Sequence, residues 1–264
     1  MQLTIDRERL LKPLQLITNA VDKKQALPIL SNILLKIEND QLILLGTDLE
    51  IQLVKSISLD QATAETKIAV PAKKLHDICR ALPTASDIHF VEQETQLLVR
   101  SGKSRFTLSL MSADDFPTLE CEASPKYRFV LPAVLFKNIL SKTHFAMSQQ
   151  DVRHFLNGLF LDFFGDTLHA VAMDGHRLAL STQRLDFVVN EHVSVLLPRR
   201  AVLELMKLLE HSDATLDICI GDNYVSVQSE DYCFSTKLIE GNFPEYRALI
   251  PKSDSHPVVI QKNY

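Results

Sequence analysis

Glycine is scarce in this chain, seven in 264 residues, and the closest two, Gly158 and Gly165, stand too far apart to write either GxGxxG or GxxxxGK[ST]. Phosphate-cradling loops of those two kinds are excluded. The four cysteines, Cys79, Cys121, Cys219 and Cys233, form no CxxC pair. Cys79, Cys219 and Cys233 stand among apolar neighbours, which fits reduced, buried thiols better than disulfides. The nine histidines include no HExxH and no Cys/His cluster at zinc spacing, so neither a structural metal nor a cofactor is expected. GxSxG is missing too. No apolar run approaches the roughly 18 residues of a membrane span, and the first turns of the chain carry charge where a signal peptide needs an apolar centre. The expectation is a soluble, cytoplasmic protein, with 46% hydrophobic residues to build one large or two ordinary cores.

What the chain does contain is repetition. VPAKKLHDICRALP at 70–83 matches LPRRAVLELMKLLE at 197–210, placing Pro71 over Pro198, Leu75 over Val202, Ile78 over Leu205 and Leu82 over Leu209, an offset of 127. Phe116 and Pro117 fall on Phe243 and Pro244 at the same offset, and LTIDRERLLKPLQLI from Leu3 lies over FVLPAVLFKNILSKT from Phe129 at 126. Two homologous units follow, 1–125 and 126–253. Within each, a short strand leads into an amphipathic helix twice, predicting helices over 7–20, 71–82, 132–146 and 198–210, with Pro71, Pro132 and Pro198 in first turns. The alternating runs QLILLGTDLEIQLV, QLLVRSGKSRFTLSL and YVSVQSEDYCFSTKL suit antiparallel strands with one buried face. The predicted fold class is α+β: tandem units, each with two amphipathic helices packed on antiparallel sheet.

Charge separates by layer. Counted over 6–20, 71–82, 132–147 and 198–210, the helical segments with their flanks hold eleven Lys and Arg against five acids, +6, while the remainder carries −11. If the helices present their polar faces to one side, that side attracts a polyanion. A second conspicuous stretch, MDGHRLAL at 173–180, raises a different possibility, a hydrolase using Asp174 and His176. Yet an Asp two residues from a His cannot easily orient its ring, and Asp-Gly between strand-like runs signals a tight hairpin turn. TDLEIQLV at 47–54 frames Asp48 in the same way, 126 residues earlier.

Over its whole length the chain resembles the bacterial sliding clamps, the β subunits of the replicative DNA polymerase. The resemblance is carried, in order, by LTIDRERLLKPLQ, LPILSNILL, GTDLE, VPAKKLHDICRALP, VRSGKSRFTLS, DFPTLE, QDVRHFLNGLFLD, MDGHRLAL, LPRRAVLELM and FSTKLIEGNFPEYR. It implies a ring of α+β clamp domains, helices inside and sheets outside, three domains from each protomer. It implies a polymerase processivity factor without catalytic residues, which encircles double-stranded DNA non-specifically and tethers polymerase and clamp-loader subunits through short linear peptides. The implied peptide groove comprises Leu156, Gly175, His176, Arg177, Leu178, Pro244, Arg247 and Leu249, with Met173 and Ala248 standing where the family often has Thr and Arg. The implied DNA contacts are Lys24, Arg80, Arg153, His154, Phe155, Arg199 and Arg200. His154 and Phe155 replace a frequent pair of tyrosines, and Lys24 a frequent Arg. The implied dimer edge is the strand KSRFTLSL, through Lys103, Arg105, Phe106 and Leu108. Residues 254–264 resemble the opening of a third clamp domain, so a fragment is expected, monomeric where the full-length protein would be a homodimer. A peptide-binding module that never meets DNA is the remaining alternative.

Overall fold

A computed structural model of the chain describes residues 1–21, 27–60, 64–119, 124–210 and 212–251. Strand gives way to helix wherever the apolar period changes. In Gln2–Asp6 (β1), Leu3 and Ile5 are buried and their neighbours exposed or half-buried, a period of two. From Arg7 the spacing lengthens to Leu10, Leu14 and Ile17, all fully buried, and the chain winds into Arg7–Ala20 (α1). Asp6 starts that helix, its carboxylate accepting the N–H groups of Glu8 (2.9 Å) and Arg9 (3.1 Å). The helix runs through Pro13 because this buried apolar stripe anchors it on both sides of the proline. Gly46 allows the close approach: a Cβ there would lie 2.7 Å from Ile17 Cγ2.

The first unit continues through a 3-10 turn at Pro28–Ser31 into Asn32–Glu38 (β2), Gln41–Thr47 (β3), Ile51–Ser58 (β4), Thr66–Pro71 (β5), Ala72–Ala81 (α2), Asp87–Gln93 (β6), Gln96–Ser101 (β7) and Ser104–Ser109 (β8). The second runs Tyr127–Pro132 (β9), Ala133–Ser141 (α3), Gly158–Met173 (β10), Leu178–Pro198 (β11), Arg199–Leu208 (α4), Thr215–Ile220 (β12), Tyr224–Gln228 (β13) and Cys233–Lys237 (β14). The helices α2 and α4 begin and end 127 residues apart. Register repeats as well. The strands β10 and β11 pair in two blocks, Gly158↔Pro198 to Phe163↔Val193 and Thr167↔Arg184 to Met173↔Leu178. These correspond to Asn32↔Pro71 to Ile37↔Thr66 and Gln41↔Ser58 to Thr47↔Gln52 in the first unit.

Two details depart from the sequence expectation. Pro71, Pro132 and Pro198 are not in the first helical turns but one step earlier, at the N-caps, each closing the preceding strand. The third helix stops at Ser141, and a separate 3-10 turn takes up His144–Ala146. Cys79 is buried as expected, Cys219 and Cys233 only half-buried, and burial pushes Cys79 up to about 12, so it stays protonated; Cys121 lies outside the described residues.

The strands β1-β6-β7-β8 form one sheet, while β5-β2-β3-β4-β14-β13-β12-β9 form another that crosses from the first unit to the second. The crossing is the antiparallel pairing of β14 with β4, from Cys233↔Val54 to Thr236↔Ile51. It is extended by the Lys237 N–H donating to Glu50 O (2.9 Å) and by an ion pair of Lys55 with Asp231 (2.8 Å). The helices α1 and α2 pack side by side, as do α3 and α4, and their buried stripes share one continuous apolar core running from Leu3 to Phe234. No helix among the described residues is long and apolar enough to cross a membrane.

Candidate functional site

The turn between β10 and β11 is built by Asp174. Its Oδ1 accepts the N–H groups of His176 (3.0 Å) and Arg177 (3.1 Å), its Oδ2 accepts Arg177 Nε (3.0 Å), and Gly175 supplies a φ of +88°. These bonds hold the carboxyl below the usual carboxylate range. The carboxylate thus serves the turn rather than the His176 ring: both its oxygens accept from other donors, and the ring stands exposed. Asp48 makes the same turn in the first unit, accepting the N–H groups of Glu50 (2.9 Å) and Ile51 (2.8 Å).

Around the 174–177 turn lies a cavity of about 570 Å³, lined by Met173, Gly175, His176, Arg177, Leu178, Leu180, Leu249, Ile250 and Pro251. Leu180, Leu249 and Ile250 are exposed for their type, and Arg177 lies over the exposed Phe145 ring at 5.6 Å while donating to Phe145 O (2.9 Å). Five of the eight residues named for a groove therefore meet here. Leu156 does not reach the surface; at 2% exposure it belongs to a small cluster beneath, with Val171, Met173 and Tyr246. Pro244 and Arg247 line a neighbouring cavity of about 420 Å³. In that cavity Asp162, which sequence reasoning passed over, accepts Tyr246 Oη (2.8 Å) and Arg247 Nη2 (3.1 Å) at Oδ2 and is hydrogen-bonded to His192 at Oδ1. The available signal was an acid inside the apolar run GLFLDFF, since a buried carboxylate must find partners.

The residues named for DNA contact divide three ways. His154, Arg199 and Arg200 line one cavity of about 1080 Å³ between the units, together with Glu50, Lys137 and residues of α4. Arg199 donates to Met147 O (3.1 Å), and Arg200 pairs with Asp48 at 2.7 Å, across the unit boundary. Desolvation, then the neighbouring Asp48 charge, raises the Glu50 carboxyl, partly opposed by Arg200. Arg153 and Phe155 stand instead beside the 174–177 turn. Arg153 is held by Asp151 (2.9 Å) with its guanidinium against Gly175, and Phe155 packs half-buried on the Leu156 cluster. Arg80 is apart, exposed at the end of α2 and 3.3 Å from Asp77. Lys24 lies outside the described residues. The helices α1, α2 and α3 and their ends carry Lys12, Lys73, Lys74 and Lys142, all exposed, and among the described residues these four have no acidic partner. By contrast Arg7 is buried, its guanidinium capping the carbonyls of Cys79 (2.9 Å) and Arg80 (3.1 Å) at the end of α2.

The strand β8 is at a sheet edge, with Lys103 and Arg105 exposed beside or on it. Leu108 is buried and Phe106 packs against the core, so both face inward, and only the strand's backbone and its exposed side chains face outward.

Comparison with known proteins places these features in a family. The model described as DNA polymerase III beta subunit, N-terminal domain, matches residues 1–120, and that of the central domain matches residues 130–245. A beta sliding clamp of Pseudomonas aeruginosa is 42% identical over 259 residues, covering 98% of this chain and 70% of its own length. That of Escherichia coli strain K12 is 41% identical, covering 97% and 70%. The crystal structure of the DNA polymerase III subunit beta from Pseudomonas aeruginosa superposes with a TM-score of 0.93 at 42% identity, covering 97% of this chain and 69% of that one. A sliding clamp from Bartonella birtlesii bound to griselimycin gives 0.89 at 34% identity, with 95% and 68% covered.

Proposed function

The chain belongs to the DNA polymerase III beta-subunit family, the bacterial sliding clamps, and from that premise we propose how it works as a DNA polymerase processivity factor. It catalyses no reaction. It holds duplex DNA through non-specific phosphate contacts and tethers polymerase and other replication proteins through a short peptide segment seated by the 174–177 turn. The observation that carries the peptide reading is the convergence of Gly175, His176, Arg177, Leu178 and Leu249 on one open cavity with exposed Leu180 and Ile250 at its mouth. Leu156 supports the floor from beneath, and Pro244 and Arg247 act from the adjoining cavity. Griselimycin, bound by clamps of the family, is the probe: titration calorimetry should show saturable binding that Leu178→Ser with Leu249→Ser weakens at least about tenfold, roughly 1.4 kcal/mol. No saturation near about 1 mM, or an unchanged affinity in the double variant, would remove the assignment.

The DNA reading rests on exposed Lys12, Lys73, Lys74 and Lys142, together with Arg80, His154 and Arg199; Lys24, named with them, lies outside the described residues. Arg153 and Phe155 serve the peptide side, and Arg200 serves the joint between units. Binding to random duplex should fall linearly in log affinity with log salt, and Lys73→Glu with Lys74→Glu should lower the slope by about 2. A salt-independent affinity would refute it.

We place the clamp domains at 1–125 and 126–253; residues 254–264 lie outside those described. The strand β8 has in β1-β6-β7-β8 the place that β14 has in β9-β12-β13-β14. The internal β14–β4 joint therefore supports β8 as the edge at which a second copy closes a ring, through its backbone with Lys103 and Arg105 outward.

A further inference from the structure

We propose that Asp162 is a positioning residue for the peptide groove: its buried carboxylate fixes the segment 243–251, which forms one wall of that groove, and thereby sets the groove's affinity. The inference rests on the peptide reading given above and concerns a residue that does not line the groove itself.

The wall has little backbone support. Past Ile239, whose N–H donates to Leu196 O (2.9 Å), the main-chain hydrogen bonding of the described residues to Pro251 is that of the 3-10 turn Tyr246–Leu249, entered by Ala248 N–H to Glu245 O (3.2 Å), and it is internal to the segment. No strand reaches it. What locates it is side chains. The Phe243 ring stacks on Phe160 with centroids 4.6 Å apart and planes within 3°. Tyr246 is 4% exposed and meets Phe160 edge-on at 6.2 Å.

Stacking and burial define distance from the sheet but leave the segment free to slide over an apolar floor, since such contacts are not directional. Direction comes from Asp162. Its side chain, 2% exposed, projects from the middle of β10 and gathers the Tyr246 hydroxyl and the Arg247 guanidinium on one oxygen and His192 of β11 on the other. One rigid hairpin thus grips two consecutive residues of the wall through charge-assisted hydrogen bonds. The groove residues Leu249 and Ile250 follow within three or four positions of Tyr246, on the same 3-10 turn or just past it. A shift at Tyr246 is passed to them almost undiminished. The arrangement also gives Arg247 a role other than touching the partner: with its guanidinium 5.3 Å from the Tyr246 ring and bound to Asp162, it closes the latch.

The test compares wild type, Asp162→Asn, Tyr246→Phe and the double variant, by griselimycin titration and by amide hydrogen exchange. Asparagine keeps the shape and one acceptor, so the fold should stand; it removes the charge that Arg247 and His192 share. Expected are about tenfold weaker binding of griselimycin and at least about tenfold faster exchange at 246–250, with exchange in β10, β11 and the helices unchanged. The double variant should be no worse than the stronger single, because both substitutions open one latch. Unchanged exchange at 246–250, exchange raised throughout the second unit, or loosened exchange with undiminished affinity would each overturn the proposal. If wild type itself fails to bind griselimycin, the peptide reading falls, while the exchange comparison still decides whether Asp162 holds the wall.

Discussion

The same aspartate turn occurs twice, once docked between the units and once open to solvent, and this makes Arg200→Ala and Arg177→Ala a matched pair. Asp48 has a side chain 2% exposed and its partner Arg200 one 33% exposed; for Asp174 and Arg177 the figures are 20% and 57%. Both carboxylates keep two backbone N–H donors on one oxygen when the arginine is removed. Asp48 then retains a buried, uncompensated charge on the other oxygen, close to the carboxylate of Glu50, which costs about 3 kcal/mol. Asp174 turns its second oxygen to water, and the solvent-screened pair is worth at most about 1 kcal/mol. At about 2–4 °C per kcal/mol for a chain of this size, Arg200→Ala should lower Tm by roughly 6–12 °C and Arg177→Ala by no more than about 4 °C. Asp48→Asn in the Arg200→Ala background should recover part of the loss, because the stranded charge is gone. Scanning calorimetry at neutral pH, with urea unfolding alongside, measures all three. Equal shifts for the two arginines, or a double variant no better than Arg200→Ala, would show that burial at the joint is not what makes this ion pair matter.

Gly175→Ala should cost about 1–2 kcal/mol in urea unfolding, for its φ of +88° and for a Cβ 3.0 Å from Arg153 Nη2. Gly102→Ala, at φ +54° with nothing within 4 Å, should cost less, and a reversed order would refute the contact. The Asp151 carboxyl, held down to about 2 by hydrogen bonds from the Arg153 side chain and backbone, should titrate there by NMR and move toward 3.8 in Arg153→Ala. Since its folded pKa is depressed, the bond's contribution is full above the ordinary carboxylate range and is lost as pH falls from about 4 to about 2.

Local pattern carried most of the architecture. The offset of 127 between Pro71 and Pro198 reappears in the bounds of α2 and α4, and the change from alternation at Leu3 and Ile5 to helical spacing at Leu10, Leu14 and Ile17 marks where β1 becomes α1. The Asp-Gly signal located a true turn. What could not be read were contacts between residues far apart in sequence. Nothing in TDLE predicts that Asp48 will be buried under Arg200 while its twin Asp174 stays at the surface, because the difference lies in what docks on each turn. The pairing of β14 with β4 is of the same kind. Phe106 and Leu108 were legible in principle: alternation with exposed Arg105 and Thr107 places both on the buried face. Family resemblance named Leu156 and Arg247 for the groove, but that Leu156 is buried and that Arg247 binds Asp162 are set by contacts far apart in sequence.

The boundary between the two family models is, in the folded chain, a seam woven shut. Four consecutive register pairs, an ion pair and a shared core cross it, so the hinge that domain counting suggests at residues 120–130 has no counterpart in the sheet. Bending one unit against the other would have to shear those backbone hydrogen bonds together. The angle between units is accordingly a built dimension, as stiff as the sheet itself, and the curvature of any larger assembly made from such joints is set when the chain folds. Neither half is a module to be cut free: separation would leave β4 and β14 as two raw edges, each a template for unwanted pairing.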